Sequence, residues 1–585
     1  MFRSLIVTVA REGRQQAQRH FSAAAAGVAG ATVARRAAVL FPSAALGVYA
    51  AVGDEPRRVA FTVSVLPARL ARDAVAAIKT VVDYQYSLHG LEGESLEEAK
   101  TQCHQRGADR LLKLCMKNGG IYIKLGQHIG MLDYLLPEEY VFTMRAHLLD
   151  RCPVSSWESV RRTIIEDLGA PPEVVFSEFE QTSIASASLA QVHLARDAQT
   201  GKKLAVKVQH RGLRETSNVD IATIEFVVKA VKRFTGVDYL WLVEEVQENL
   251  PTELDFLIEA ANSERCASNL SSDKCQVRGK VAVPVIDHSK TSHRVVTMEY
   301  IDGVKVTDIE GLKKLGAPPA AVARLISQTF NEMIFKFGDV HADPHAANML
   351  VRAAPKSPDG SVPGSSRKNK KIKQKWQLVL LDHGLYRVLD DEFRLEYACL
   401  WRSLIFGDRA GIKRSATAMN AGDAVPLFSG MLTRRPWREV SQGRRGADRL
   451  KLTGTAEEKE EIMEYSVKYA SAIGELLARI PRELLLLLKT NDNLRAVDAE
   501  LGAGVSTYLI TARECTKALA DHRAAQVPGW RSYMASWVEM LKVESRLLAL
   551  KTRAVVEPLR AALWGQGDVA DEEEEGHVEK DVAIQ

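Results

Sequence analysis

The sequence predicts an α+β chain of two lobes, a small β-containing one followed by a larger, mainly helical one, with a helical segment ahead of both. Three observations carry this expectation. Short-period, β-rich stretches concentrate between residues 181 and 303: residues 204–208 read as a buried strand, and 281–285 and 294–298 as further strands. Helical periodicity dominates from about residue 318, as in residues 321–337 and 392–406. Residues 55–118 read as helices of mixed charge that stop at Asn118-Gly119-Gly120.

At 585 residues, with 46 % hydrophobic and 26 % charged residues, the chain is long and apolar enough for several folded units and a sizeable core. The formal net charge is +4, but residues 1–53 hold Arg3, Arg11, Arg14, Arg19, Arg35 and Arg36 against one acid, Glu12. The remainder is close to neutral, so no nucleic-acid footprint is supported and no nucleic-acid partner is expected. The Arg-rich opening, continued by Ser22 and an alanine run, has the composition of an organelle transit peptide, with a basic tail as the alternative. Residues 37–52 are apolar but interrupted by Pro42 and shorter than the roughly 20 residues a membrane span needs. They are a candidate anchor; a targeting remnant or core packing are the other readings. The run Leu484 to Leu488 is too short to span a bilayer and reads as a core helix. Cysteines at 103, 115, 152, 266, 275, 399 and 515 include no Cys-x-x-Cys pair, so neither a disulfide framework nor a zinc module is expected.

The chain divides accordingly. Residues 1–53 form the targeting and candidate anchor segment, 54–180 the helical extension, 181–303 the small lobe and 304–510 the helical lobe. A basic insert, rich in Pro, Gly and Ser, interrupts the helical lobe at 354–375. Residues 511–585 form a helical C-terminal region with an acidic tail at 571–575. Between the lobes, Met298-Glu299-Tyr300-Ile301-Asp302-Gly303 has the strand-then-turn character of a hinge.

The chemistry concentrates in His341-Ala342-Asp343-Pro344-His345-Ala346-Ala347-Asn348 and, after an apolar strand, Asp382-His383-Gly384. Phosphoryl transfer with Mg²⁺ needs hard oxygen ligands, so Asn348 and Asp382 can hold the metal while Asp343 faces the acceptor. The Asp343 to Asn348 interval equals that of the kinase catalytic loop, and Asp382 matches the kinase metal-binding Asp. Upstream, Lys207 sits in a strand of the kind that sets a lysine on nucleotide phosphates, and Glu259 is the candidate carboxylate that holds it. The loop Ala185-Ser186-Ala187-Ser188-Leu189-Ala190-Gln191 stands where kinases carry glycines. Read alone, it is either a tight packing loop or a nucleotide cradle of altered geometry, because Cβ atoms restrict positive φ. Lys124 and Gln127, in Lys124-Leu125-Gly126-Gln127, share one face of a predicted helix.

In this order, the Lys-x-Gly-Gln at 124–127, the Ala/Ser loop, Glu253-Leu254-Asp255, His-Ala-Asp-Pro-His at 341–345 and Asp-x-Gly at 382–384 resemble the UbiB/AarF (ABC-one) atypical kinase-like family. The resemblance covers about residues 100–510, and three stretches, 241–260, 381–396 and 488–502, look most like its mitochondrial branch, the AarF-domain-containing kinase one group. It implies a protein-kinase-like two-lobed fold with a family-specific helical extension. ATP or ADP with Mg²⁺ would be the cofactors, Glu299 and the Ala/Ser loop lying on the nucleotide. The implied activity is that of an ATPase or of a small-molecule or lipid kinase in ubiquinone or mitochondrial lipid homeostasis; a nucleotide-sensing pseudokinase scaffold is the alternative. It also implies that the Lys124/Gln127 helix folds over the site as a lid beside Glu253 and Asp255. The expected location is the mitochondrial inner membrane or intermembrane space (chloroplast as the alternative), with a lipid or membrane surface as partner. Ala346-Ala347 replaces the family's usual Pro-Gly, and His383 stands where kinases have Phe. With no Ala-Pro-Glu element beyond Gly384, a peptide substrate is disfavoured.

Overall fold

The computed structural model describes residues 56–130, 136–148, 152–235, 239–355, 375–433, 479–502 and 507–526, with scattered positions between 437 and 552. The Arg-rich opening, the apolar stretch 37–52, nearly all of the basic insert and the acidic tail lie outside the described residues.

The helical extension comprises α1 (Pro56–Ser87), α2 (Glu94–Asn118), α3 (Ile121–Ile129), α4 (Glu138–Leu148) and α5 (Trp157–Leu168). Gly119 and Gly120 adopt φ of 67° and 54°, left-handed backbone that breaks α2 from α3 where the sequence predicts a stop. A buried ion pair ties α1 to α6 (Leu213–Thr235), with Arg69 Nε and Nη2 donating to the Asp220 carboxylate at 2.8 and 2.6 Å.

The small lobe is a four-stranded antiparallel sheet in the order β1 (Phe176–Ser186), β2 (Ala190–Asp197), β3 (Lys203–Gln209), β5 (Val295–Glu299). It begins five residues ahead of position 181. Period-two alternation along β3 sends Leu204, Val206 and Val208 to one face, against Val160 and Ile164 of α5. The other face, with Val296 and Met298, packs on Phe256 and Ala260 of α8 (Phe256–Ser271). Lys207 belongs to that second face. The expected strand at 281–285 is shorter: only β4 (Val281–Ala282) pairs in register, and Val285 is exposed while its carbonyl accepts the Glu299 N–H.

The helical lobe carries a second sheet, ordered β4, β9 (Trp376–Leu380), β8 (Met349–Ala353), β6 (Val304–Lys305), and a two-stranded ladder of β7 (Asp339–His341) with β10 (Tyr386–Val388). Its helices include α9 (Pro319–Asn331), α10 (Asp391–Phe406), α11 (Arg482–Leu501) and α12 (Thr507–Gln526). α9 runs on into a π-helical turn, Glu332–Phe337, which Gly338 ends at φ 64° before β7.

One large apolar cluster joins the extension to the helical lobe. It contains Ile121, Ile123, Leu125 and Ile129 of α3, Trp241 and Leu250 of α7 (Leu240–Glu253), and Leu484, Leu485, Leu487 and Leu488 of α11. The leucine run is a buried core helix, as its length requires. All seven cysteines are free and all but Cys399 are buried.

Gly126 shows how tightly α3 is seated. A Cβ there would lie 2.3 Å from Leu148 Cδ1, and Leu148 is itself fully buried. Gly126→Ala is therefore expected to destabilise the fold by about 1–2 kcal/mol, the overpacking outweighing the gain in helix propensity. Denaturant unfolding of the variant checks this; an unchanged or raised midpoint would contradict it.

Candidate active site

The catalytic-loop candidate leaves β7 and enters β8, and the Asp382 loop leaves β9 and enters β10. Because β8 pairs with β9 and β7 with β10, both ends of the two loops are stapled together. Ala342 N–H donates to the Leu385 carbonyl and Leu381 N–H to the Asn348 carbonyl, each at 3.0 Å. Ala346-Ala347-Asn348 forms a 3₁₀ turn, so the two alanines are accommodated.

Lys207 Nζ lies 2.7 and 2.9 Å from the two Glu259 oxygens and 2.9 Å from Asp382 Oδ2. Burial alone would lower the Lys207 pKa, but Asp382 and Glu259 hold it above its ordinary value. Burial pushes the Glu259 carboxyl up to about 7 against the pull of Lys207. Asp382 is half-buried, and although desolvation opposes its ionisation, Lys207 and the Gly384 N–H, 2.9 Å from Oδ1, hold its carboxyl below the usual range. The helix that carries Glu259 is fixed to the helical lobe. Asn262 Nδ2 donates to the His383 carbonyl at 3.0 Å, and Arg265 forks onto buried Asp339 at 2.7 and 2.8 Å.

Asp343 is surrounded by donors. Its N–H donates to His341 Nδ1 (3.1 Å) and its carbonyl accepts from Asn348 Nδ2 (3.1 Å). Its carboxylate meets Lys489 Nζ at 3.4 Å and Asn493 Nδ2 at 3.3 Å on Oδ1, and Lys124 Nζ at 3.8 Å and His345 Nε2 at 3.9 Å on Oδ2. Burial opposes ionisation, but Lys489, His345 and Lys124 carry the carboxyl well below the usual range. His341 is buried and desolvated, with its pKa lowered to about 4, and is neutral near pH 7. His383 is likewise buried: its ring stacks on Tyr386, Nδ1 meets the Tyr386 hydroxyl at 2.9 Å and Nε2 faces the Leu380 carbonyl at 3.2 Å. It fills the Phe position as a core aromatic.

Of the four lid candidates, two meet. Lys124 Nζ is 2.7 Å from Glu253 Oε2, and both side chains are buried. Glu253 ends α7, however, and Asp255 starts the next helix as its N-cap, accepting from Leu257 N–H at 3.1 Å and pairing with His293 at 2.8 Å. Asp255 therefore does not partner Lys124. Gln127 Nε2 donates to the Leu148 carbonyl at 2.9 Å, pinning α3 to α4 instead of reaching the cleft.

The Ala/Ser loop turns without positive φ, as its Cβ atoms require. Ala185 and Ser186 close β1, and Ala187 N–H donates to the Ala190 carbonyl at 2.8 Å. Ser186 Oγ donates to the Pro153 carbonyl at 2.9 Å. Buried Gln191 accepts the Ser155 N–H at 2.7 Å, and Leu189 joins the cluster of α3. Ser188 lines a cavity of about 190 Å³ with Gly119, Gly120 and His210. Glu299 ends β5, and its carboxylate accepts from Arg352 Nη1 of β8 at 2.9 Å, an ion pair between the lobes.

Asn348 and Asp382 offer an amide and a carboxylate oxygen, the hard donors Mg²⁺ prefers. Among the described residues no group of three or more His, Cys, Asp or Glu forms a metal cage. Mg²⁺ in phosphoryl-transfer sites needs none, since phosphates and water complete its shell. The residues fit the group. Lys489 and Asn493 were not singled out from the sequence; the available signal was their four-residue spacing at the end of the leucine run.

Fold and loops together define a protein-kinase-like two-lobed scaffold. Residues 147–416 match the ABC1 atypical kinase-like domain. A putative ABC1 protein of Arabidopsis thaliana is 43 % identical over 88 % of this chain and 95 % of its own length. AarF domain-containing protein kinase 1 of Xenopus tropicalis is 40 % identical over 80 % of this chain and 85 % of its own, and an ABC1 family protein MCP2 homolog of Schizosaccharomyces pombe 34 % over 80 % and 82 %. The chain belongs to the ABC1, or AarF-domain, atypical kinase-like family.

The shared ammonium yields a test. Lys207→Met leaves Glu259 and Asp382 facing each other without a cation and is expected to cost about 3 kcal/mol, the order found when one partner of a buried pair is removed. Glu259→Gln in the same chain should recover part of that loss. Chemical unfolding of the single and double variants measures both; additive losses would show that the residues act separately.

Proposed function

We propose that the chain binds ATP with Mg²⁺ and works as an ATPase or as a kinase of a small molecule or lipid. The observation that carries this reading is that one pair of stapled loops holds Asp343, Asn348 and Asp382, and that Lys207 of β3, with Glu259 of α8, reaches Asp382 there. Lys207, held by Glu259, would lie on the α and β phosphates, and Asn348 and Asp382 would hold the metal. Bound Mg²⁺ would neutralise phosphate charge and keep the transferring group in line. Asp343 is held ionised, so it would orient the attacking hydroxyl or water at its carboxylate. Glu299, at the junction of the lobes, and the Ala/Ser loop would border the nucleotide.

The Lys124–Glu253 pair supports a restraining lid, with Gln127 as its pin to α4. With the Lys124 helix over Asp343 and no Ala-Pro-Glu element beyond Gly384, a small or lipid acceptor is favoured over a peptide. The same roof over Asp343 favours a second reading, a nucleotide-sensing scaffold that binds without turning over. The relatives' branch and the basic opening support a mitochondrial setting, at the inner membrane or in the intermembrane space, with a role in ubiquinone or lipid homeostasis. Among the described residues no helix is long and apolar enough to cross a membrane.

Phosphate release from Mg²⁺-ATP, measured with and without vesicles of defined lipid composition, separates the enzyme from the scaffold. Asp382→Asn is expected to abolish Mg²⁺-dependent thermal stabilisation by ATP, since the hard cation loses its charged oxygen; an unaltered shift would put the metal elsewhere. For the lid, Lys124→Ala and Glu253→Ala should each change ATP and ADP affinity, and the double variant should do so non-additively. Near-zero, additive effects would make Lys124 a packing residue.

A further inference from the structure

Lys489 lies well beyond residue 416, where the match to the family domain ends, yet its ammonium is nearer the Asp343 carboxylate than that of Lys124. The first polar position after the buried leucines, it has Asn493 one helical turn further on the same face. Both reach Oδ1 of Asp343. α11 is anchored at its start by Arg482, 2.6 Å from Glu244 of α7, and by Glu483, which pairs with Arg387 of β10. Further along, Asn491 Nδ2 donates to the Tyr397 hydroxyl at 2.9 Å, and Val497 and Leu501 lie in the second apolar cluster of the helical lobe. The ammonium is thus delivered by a rigid element. Lys124 differs: its short contact is to Glu253, at 2.7 Å, and Asp343 is its more distant partner.

We propose that Lys489 is a positioning residue of the phosphoryl-transfer centre, clamping Oδ1 of Asp343 together with Asn493 so that Oδ2 alone is turned to the acceptor. The inference rests on the reading of the site as a phosphoryl-transfer centre. A carboxylate free to rotate offers either oxygen in many directions, whereas one oxygen fixed by a cation and an amide leaves the other with a defined aim. The backbone of the loop is fixed separately, by His341 and Asn348, so the helix acts on the side chain alone. Oδ2 then has His345 and Lys124 at 3.9 and 3.8 Å, distances that leave it accessible to a closer hydrogen-bond donor.

A bland alternative is that Lys489 serves as counter-ion to buried Glu245 of α7, whose carboxyl, pushed up by burial, feels the lysine's charge. Three variants decide between them. Lys489→Met keeps the length of the side chain and removes its charge; Lys489→Arg restores the charge; Glu245→Gln removes the competing partner. With ATP and Mg²⁺, Lys489→Met is expected to lower kcat for phosphate release about tenfold or more, within the range attributed to a positioned base, and to leave the ATP dissociation constant within about twofold. Lys489→Arg should recover part of kcat, Asn493→Ala should lower it in the same direction, and in an Asp343→Asn background Lys489→Met should cause no further loss.

Unchanged kcat in Lys489→Met would overturn the proposal, as would restoration of its kcat by Glu245→Gln or a proportionate loss of nucleotide binding. Should Lys489→Met fail to fold, Asn493→Ala gives the same split of kcat from binding, and an unchanged kcat there would also overturn it. Wild-type protein that releases no phosphate under any condition would instead sink the reading of the site as a phosphoryl-transfer centre, and this inference with it. A wild type that turns over beside an unaffected Lys489→Met sinks this inference alone.

Discussion

The site is organised around one ammonium. Lys207 belongs to the small lobe's sheet, Glu259 to the helix behind it and Asp382 to a loop of the helical lobe, and all three meet within hydrogen-bond distance. A buried lysine stays charged only where carboxylates surround it, and buried carboxylates remain tolerable only beside a cation. Each element therefore needs the other two in register. Asn262 and Arg265, one and two turns along from Glu259, continue the attachment to His383 and Asp339. The relative seating of the lobes is thus written along one face of a single helix.

A second set of constraints acts on Asp343 from above. The helical extension is part of the same apolar cluster as the helical lobe, so α3 presents Lys124 to the cleft while its isoleucines and leucine are core. Gly126 allows that helix to press against Leu148, and Gln127 secures the same contact by a hydrogen bond to the Leu148 carbonyl. Two neighbouring positions of the Lys-x-Gly-Gln motif thus work on packing, and only its lysine faces the chemistry.

Much of this could be read in the chain. Lys207, Glu259, Asp343, Asn348 and Asp382 stood out as candidates because their residue types, order and intervals match what phosphates and a hard cation require, and of these Lys207, Glu259 and Asp382 meet directly. The strand at 204–208, the glycine stop at 119–120 and the buried leucines followed from periodicity and backbone sterics. Asp255 was misread as a partner of Lys124 because the helix breaks at Leu254, and a cap position turns a side chain toward its own backbone. Gln127 shares a helical face with Lys124, yet its amide found a carbonyl on the neighbouring helix. Lys489 and Asn493 escaped notice because only the three-dimensional fold brings α11 to the catalytic loop. Local spacing gave a helix face there without naming what it faced.

The burial of α3 bears on how anything reaches Asp343. Ile121, Ile123, Leu125 and Ile129 are nearly all enclosed, and exposing such side chains costs about 1.5–3 kcal/mol each. Lifting the whole helix into water would cost on the order of 6–12 kcal/mol, comparable with the entire stability of an ordinary domain. A hinged flap of that kind stays shut in an aqueous setting. Access to the carboxylate therefore does not run through lifting this helix in water, whereas an apolar medium that takes up the isoleucines would lower that cost.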